Sequence, residues 1–112
     1  MSLERRASYT AGLRAEFFAR WLLRLKGYSI IEQRYKTPVG ELDIVARRGK
    51  RIAFVEVKFR KDLSEAAFSI TSQQRQRIVN AAKSWLQRNA RVSYDTLSFD
   101  VILVAPWRLP RH

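Results

Sequence analysis

The stretch from Gly40 to Arg60, GELDIVARRGKRIAFVEVKFR, decides the fold. Two β-rich runs flank the Gly49-Lys50 pair, which has the composition of a tight turn, so the stretch is read as a hairpin. With Gly49 and Lys50 at the turn, Arg48 faces Arg51. Counting back from there sets Asp43 opposite Glu56 and Glu41 opposite Lys58. The other face of the hairpin would carry Leu42, Ile44, Val55 and Val57, an apolar set suited to a core.

Directly opposed residues have Cβ atoms about 5 Å apart on one face of the sheet. Two ionised carboxylates at that separation repel by roughly 3 kcal/mol at an effective dielectric of 20. Alternating charge on a hairpin is often only a solvated face. Against that, Glu56 and Lys58 lie within a nearly unbroken β-branched and aromatic run, Ile52 to Phe59, where charges are at least partly buried. Buried charges are paired, metal-bound or functional. A divalent cation between Asp43 and Glu56 would turn the repulsion to use, because Mg²⁺ takes hard oxygen ligands. Lys58, two residues beyond Glu56, adds a positive charge to the same spot.

Composition narrows the chemistry. Hydrophobic residues at 46% and aromatics at 12% exclude a disordered chain. The absence of cysteine removes disulfides and thiolate catalysis and fits a reducing compartment, with the cytoplasm as the expected location. The single histidine, His112, is expected to fray, which removes Ser-His and Cys-His arrangements and most zinc sites. A net charge of +12 points to a polyanionic partner, and arginine reads phosphate bidentately. No apolar run of about 18 residues suggests a membrane span. A nucleic acid is therefore favoured over a membrane, with solubility or an acidic protein as the plainer explanations of the charge. No face is visibly set aside for a second copy, and both a monomer and a homodimer fit.

The remaining chain frames the hairpin as one domain, residues 1–112, with peripheral tails at 1–8 and 105–112. Thr10 is the expected N-cap of a helix running to about Lys26 and ended by Gly27. Its expected core stripe is Ala11, Ala15, Phe18, Leu22 and Leu25. Glu16 lies beside that stripe, in line with Gly12, Ala19 and Leu23. There it either points toward the hairpin or pairs with Arg20 on the surface. Tyr28 to Tyr35 reads as a first strand, followed by a turn at Pro38 and Gly40. Leu63 to Ile70 has no clear period and is taken as a loop. Thr71 or Ser72 caps a second helix, with Ile78, Val79, Ala82, Trp85 and Leu86 inward. Leu97, Phe99, Val101 and Leu103 make the expected core face of a last strand. Its Asp100 is either an edge residue or a structural acceptor, and Trp107 is expected to pack back on the domain. The order helix, strand, strand, strand, helix, strand predicts an α/β fold with a mixed sheet, since a helical crossover delivers a parallel neighbour.

Asp43 followed, after twelve intervening residues, by Glu56-Val57-Lys58 in a strand-turn-strand resembles the PD-(D/E)xK nuclease superfamily with its restriction-endonuclease-like core. More narrowly, several segments resemble the YraN family of small bacterial proteins. These are Gly12 with Glu16 and Ala19, Gly27-Tyr28, GELD at 40–43, FVEVKFR at 54–60, Ala81-Ala82 and Phe99-Asp100-Val101. The resemblance implies Asp43 and Glu56 as ligands of Mg²⁺ or Mn²⁺, with the Val57 carbonyl completing the set. It further implies Lys58 as the residue that orients water and steadies phosphate, and Glu16 as the helix-borne acid of the site. Glu41, Gln74 and Arg60 are expected around it. Gln74 stands where a basic residue is expected, and Ser98 where the family usually has Arg. Arg47, Arg48, Lys50, Arg77 and Arg88 are the candidates for contacting nucleic acid, DNA more than RNA.

The expected function is hydrolysis of phosphodiester bonds by a metal-dependent endonuclease, on structured DNA such as junctions. The alternatives are a nucleic-acid-binding module with this fold and little cleavage, or a basic domain that docks an acidic protein.

Overall fold

The structure is a computed structural model that describes residues 3–61, 69–106 and 109–112, with side chains described from residue 12 onward. Helix α1 spans Leu3–Leu25, strands β1, β2 and β3 span Ser29–Thr37, Gly40–Arg48 and Arg51–Phe59, helix α2 spans Ser72–Arg88 and strand β4 spans Thr96–Val104. The sheet order is β1-β2-β3-β4. The first two pairings are antiparallel and the last is parallel. The expected mixed α/β sheet with flanking helices is present and is compatible with a restriction-endonuclease-like core.

The start of α1 departs from expectation. It lies at Leu3 rather than after Thr10, since nothing between Leu3 and Thr10 breaks a helix and Arg, Leu and Ala favour one. Its end follows the expected glycine. Gly27 adopts φ 91°, its N–H donates to the Arg24 carbonyl, and the Tyr28 N–H donates to the Leu23 carbonyl at 2.9 Å. This crossed pair of bonds satisfies the last carbonyls of the helix, and Tyr28 packs in the same core cluster as Leu23.

Two cores sandwich the sheet. On one side Ala15, Ala19 and Leu23 of α1 meet Ile44, Ala46, Ala53, Val55, Ile102 and Val104. The buried stripe of α1 is thus turned from the expected one: Phe18 and Leu25 are exposed, and Ala11 lies outside the described side chains. Small residues on both helix and sheet let α1 lie close, so the alanine edge, next to Glu16, is the one that faces inward. On the other side Ile78, Ala81, Ala82 and Trp85 of α2 cover Tyr35, Leu42, Val45, Ile52 and Phe54. Burial on both faces explains the nearly continuous apolar run of β3.

α2 packs mainly on β2 and β1, which, among the described residues, leaves much of its side of β4 uncovered. The face of β4 expected to be core is therefore only partly so: Leu103 is buried, but Leu97 is exposed and Phe99 is 54% exposed, its ring against Phe54. Ile102 and Val104, on the α1 side, carry the burial instead. Asp100 is both an edge residue and an acceptor, taking a bond from His112. His112 is not frayed, because Arg111 bridges Leu103 and carries the histidine back to the sheet. Trp107 and most of the expected 63–70 loop lie outside the described residues.

Gly40 opens β2 beneath α2. A Cβ there would sit 1.9 Å from the Arg77 carbonyl oxygen and 2.7 Å from its carbon. Backbone cannot yield as a flexible side chain can, so Gly40→Ala must displace α2 from β2. The expected destabilisation is about 2–4 kcal/mol by chemical denaturation.

Candidate active site

The hairpin register is the expected one from Arg48↔Arg51 to Ile44↔Val55, where the ladder stops. Beyond it Asp43 Oδ2 accepts the Val57 N–H at 2.7 Å, a donor that a continued ladder would have given to the backbone of β2. The alternation of β2 breaks here as well. Leu42 belongs to the α2-side core with Val45, whereas Ile44 belongs to the α1-side core. The expected apolar face Leu42, Ile44, Val55, Val57 is therefore split between two layers.

The neighbouring strand, whose register shifts between Ile30 and Glu32, is distorted at the level of Asp43. Tyr35 pairs with Leu42 and Gln33 with Ile44, and between them Arg34 adopts φ 50°. A left-handed non-glycine residue costs roughly 1–2 kcal/mol. Arg34 Nε and one terminal nitrogen donate to Glu16 Oε2 at 2.9 and 2.8 Å. Glu16 thus turns to the sheet and pairs with Arg34, not with Arg20. The result is a cavity of about 190 Å³ lined by Glu16, Arg34, Lys36, Glu41, Leu42 and Asp43.

The two central carboxyls behave as a pair. Burial, then the Asp43 carboxylate, pushes Glu56 up to about 8. Burial likewise raises Asp43 to about 6, against the pull of the Val57 N–H, with Glu16 and Glu41 adding negative potential. Its higher value makes Glu56 the one of the two that carries a proton near neutral pH. Lys58 is the only buried charged residue among the described ones, 6% exposed. Its Nζ donates to the Ser69 carbonyl. Burial and the Arg60 charge hold its ammonium below the usual lysine range, against the attraction of Glu56.

Other expected neighbours lie elsewhere. Glu41 does not pair with Lys58; it stands opposite Lys36 in the β1 ladder. Gln74 is committed to the α2 cap: its N–H donates to Thr71 Oγ1 at 3.1 Å and its side-chain oxygen accepts the Thr71 N–H at 3.0 Å. That reciprocal capping box follows from Thr71 and Gln74 three residues apart. Arg60 is exposed and donates to the Phe59 carbonyl. The basic candidates do not form one track. Arg77 packs its backbone on Gly40 near Asp43, whereas Arg47, Arg48 and Lys50 sit at the hairpin tip. Arg47 is pinned to the Gly49 and Ser93 carbonyls, and Arg88 lies over the Tyr35 ring.

Arg34 and the Ser69 carbonyl are the partners that sequence reasoning missed. Arg34 stands in the strand-like run Glu32-Gln33-Arg34-Tyr35 with no glycine to mark a left-handed residue. A backbone carbonyl leaves no trace in side-chain spacing.

The geometry around GELD and FVEVKFR falls within residues 15–104, which match a family model described as uncharacterised protein family UPF0102. The chain belongs to the UPF0102 family. This is the YraN family of the sequence resemblance. A UPF0102 protein of Nitrobacter winogradskyi is 50% identical over 106 residues, covering 95% of this chain and 90% of that relative. A UPF0102 protein of Rhodopseudomonas palustris strain BisB5 is 51% identical over 109 residues, covering 97% of this chain and 83% of that relative. A third, of Bradyrhizobium diazoefficiens, is 50% identical over 111 residues, covering 99% and 84%. The UPF0102 match takes in Glu16, Asp43, Glu56 and Lys58 alike. Among the described residues no helix is long and apolar enough to cross a membrane.

Proposed function

We propose that this UPF0102 protein is a Mg²⁺- or Mn²⁺-dependent nuclease that hydrolyses phosphodiester bonds in DNA, in the cytoplasm. The observation that carries the reading is the Asp43–Glu56 pair, two part-buried carboxyls set beside each other where a strand ladder ends. A sheet gains nothing from such a pair, which a cation would relieve. The donors suit a hard cation: two carboxylates, with the Val57 carbonyl proposed as the third. When bound, the ion would lower the pKa of water and neutralise charge on phosphate oxygens.

The chain's own groups do the rest. The Val57 N–H fixes the Asp43 carboxylate, leaving its other oxygen for the ion. Glu16, steadied by Arg34, adds negative potential on the Asp43 side. Lys58, held by Ser69, presents a buried ammonium near Glu56 whose proton is more easily given up than that of an exposed lysine. That suits it to steady the scissile phosphate and to exchange a proton with the attacking water or the leaving oxygen.

A second reading is a nucleic-acid-binding module without cleavage. It is favoured by one observation: among the described residues no three acidic side chains converge at ligand distance. A panel of DNA junctions, flaps, duplex and single strands, with matched RNAs, decides between them when incubated with Mg²⁺ and Mn²⁺. Metal-dependent cleavage of at least one DNA substrate is expected. Binding without cleavage of any substrate would transfer the protein to the second reading.

A further inference from the structure

A second polar cavity, of about 610 Å³, is lined by Lys26, Tyr28, Arg48, Arg51, Asp100, Val101, Arg111 and His112. Its arginine end is set apart from Asp43, since Asp43 and Arg48 are separated along β2 by roughly 17 Å at 3.4 Å per residue, while Asp100 and Val101 stand beside Val55 and Glu56 in the β3–β4 ladder. Four cationic side chains line it against one carboxylate.

That carboxylate is already engaged. His112 Nε2 lies 2.7 Å from Asp100 Oδ2 and Lys26 Nζ lies 2.8 Å from His112 Nδ1. An ammonium can only donate, so Nδ1 accepts, and Nε2–H donates to Asp100. Burial alone would raise Asp100, but the His112 bond, the Ser98 hydroxyl and, less, the His112 and Arg51 charges hold its carboxyl below the usual carboxylate range. Asp100 therefore stays ionised beside His112 and Arg51.

The guanidinium groups are arranged, not merely abundant. Arg48 donates to the Lys26 carbonyl at 3.1 Å and lies over the Tyr28 ring, 4.6 Å from its centroid. Its plane is thereby set, with further N–H donors left to use. Arg51, across the hairpin turn from Arg48, forms no salt bridge among the described residues. Paired guanidinium forks on a cavity wall match the oxygens of a phosphate.

We infer that this cavity binds a backbone phosphate of a nucleic-acid strand through Arg48 and Arg51 at its hairpin-tip end. The inference rests on the nucleic-acid reading above, and its test separates the two. Affinity of a labelled DNA duplex is measured by fluorescence anisotropy over a range of salt, without divalent metal, for wild type, Arg51→Gln and the exposed-residue control Arg14→Gln. Loss of one phosphate contact lowers the log–log salt slope by about 0.9 and weakens binding about five-fold at 0.15 M salt. That result is expected for Arg51→Gln and not for Arg14→Gln.

Nuclear magnetic resonance supplies the second readout. Inorganic phosphate should shift the Tyr28, Arg51 and Asp100 amides of wild type in a saturable way, and the oligonucleotide should displace it. Phosphate shifts that persist with oligonucleotide bound would assign the cavity to free phosphate and overturn the strand grip. Arg51→Gln binding DNA with wild-type affinity and slope would overturn the grip while leaving the nucleic-acid reading intact. Wild type with no salt-dependent binding to DNA would overturn both.

Discussion

Glu56→Gln is expected to abolish tight Mn²⁺ binding and, at pH 8, to make the metal-free protein more stable than wild type. The folded state raises Glu56 to about 8 and Asp43 to about 6, above the ordinary range of either group when unfolded. Between about pH 4 and pH 8 the folded protein binds more protons than the unfolded chain, so stability falls as pH rises through that window. A glutamine keeps an N–H donor for the Asp43 carboxylate and removes the second ionisation. With Glu56 part-exposed and solvent screening allowed for, the gain at pH 8 is about 2 kcal/mol, vanishing toward pH 4.

The same proton governs affinity in wild type. A cation must displace it from the pair, so Mn²⁺ affinity should rise about tenfold per pH unit between pH 6 and pH 8, with about one proton released at pH 7. Calorimetry in two buffers of different ionisation enthalpy counts that proton, and melts from pH 4 to 9 follow the stability. Equal Mn²⁺ heats in wild type and Glu56→Gln would remove the metal site from consideration.

Lys58→Met should lose cleavage by roughly 10²- to 10⁴-fold, the range of positioned acid–base groups, while keeping Mn²⁺ and DNA binding near wild type. The melting temperature should not fall. Lys58 is buried with its pKa lowered, so the folded state disfavours its charge, and a methionine of similar length removes that penalty. The Ser69 carbonyl that loses its donor belongs to an exposed residue and can turn to water. A merely structural lysine would give the reverse pattern, a destabilised domain that still cuts. Single-turnover cleavage and thermal melts of the same preparations separate the two, and retained cleavage in a folded mutant would end the catalytic role of Lys58.

Much of this was legible in the order of residues because local rules carried it. A Gly-Lys pair between β-rich runs set the hairpin and its register as far as Ile44↔Val55. Gly27 ended α1 through a left-handed residue, and Thr71 with Gln74 capped α2. The helical crossover between β3 and β4 delivered the parallel pairing. The family resemblance was legible too, in GELD and FVEVKFR.

What the tertiary structure alone decided is how the layers meet. Periodicity measures an apolar angle on a helix but not which neighbour approaches, so α1 turned to bury Ala19 and Leu23 alongside the expected Ala15, and Glu16 came with them toward the sheet. Strand alternation assumes an unbroken ladder. The left-handed Arg34 is met by a cross-layer ion pair with Glu16, which no spacing along one strand encodes. Gln74 could cap a helix or face a site, and the geometry at Thr71 took it for the cap. His112 joined Asp100 and Lys26 only because the chain returns along β4. Sequence alone thus determined the elements and the identity of the charged residues. Packing decided which of those charges are desolvated together, because burial and Coulomb energy depend on distances through space rather than along the chain.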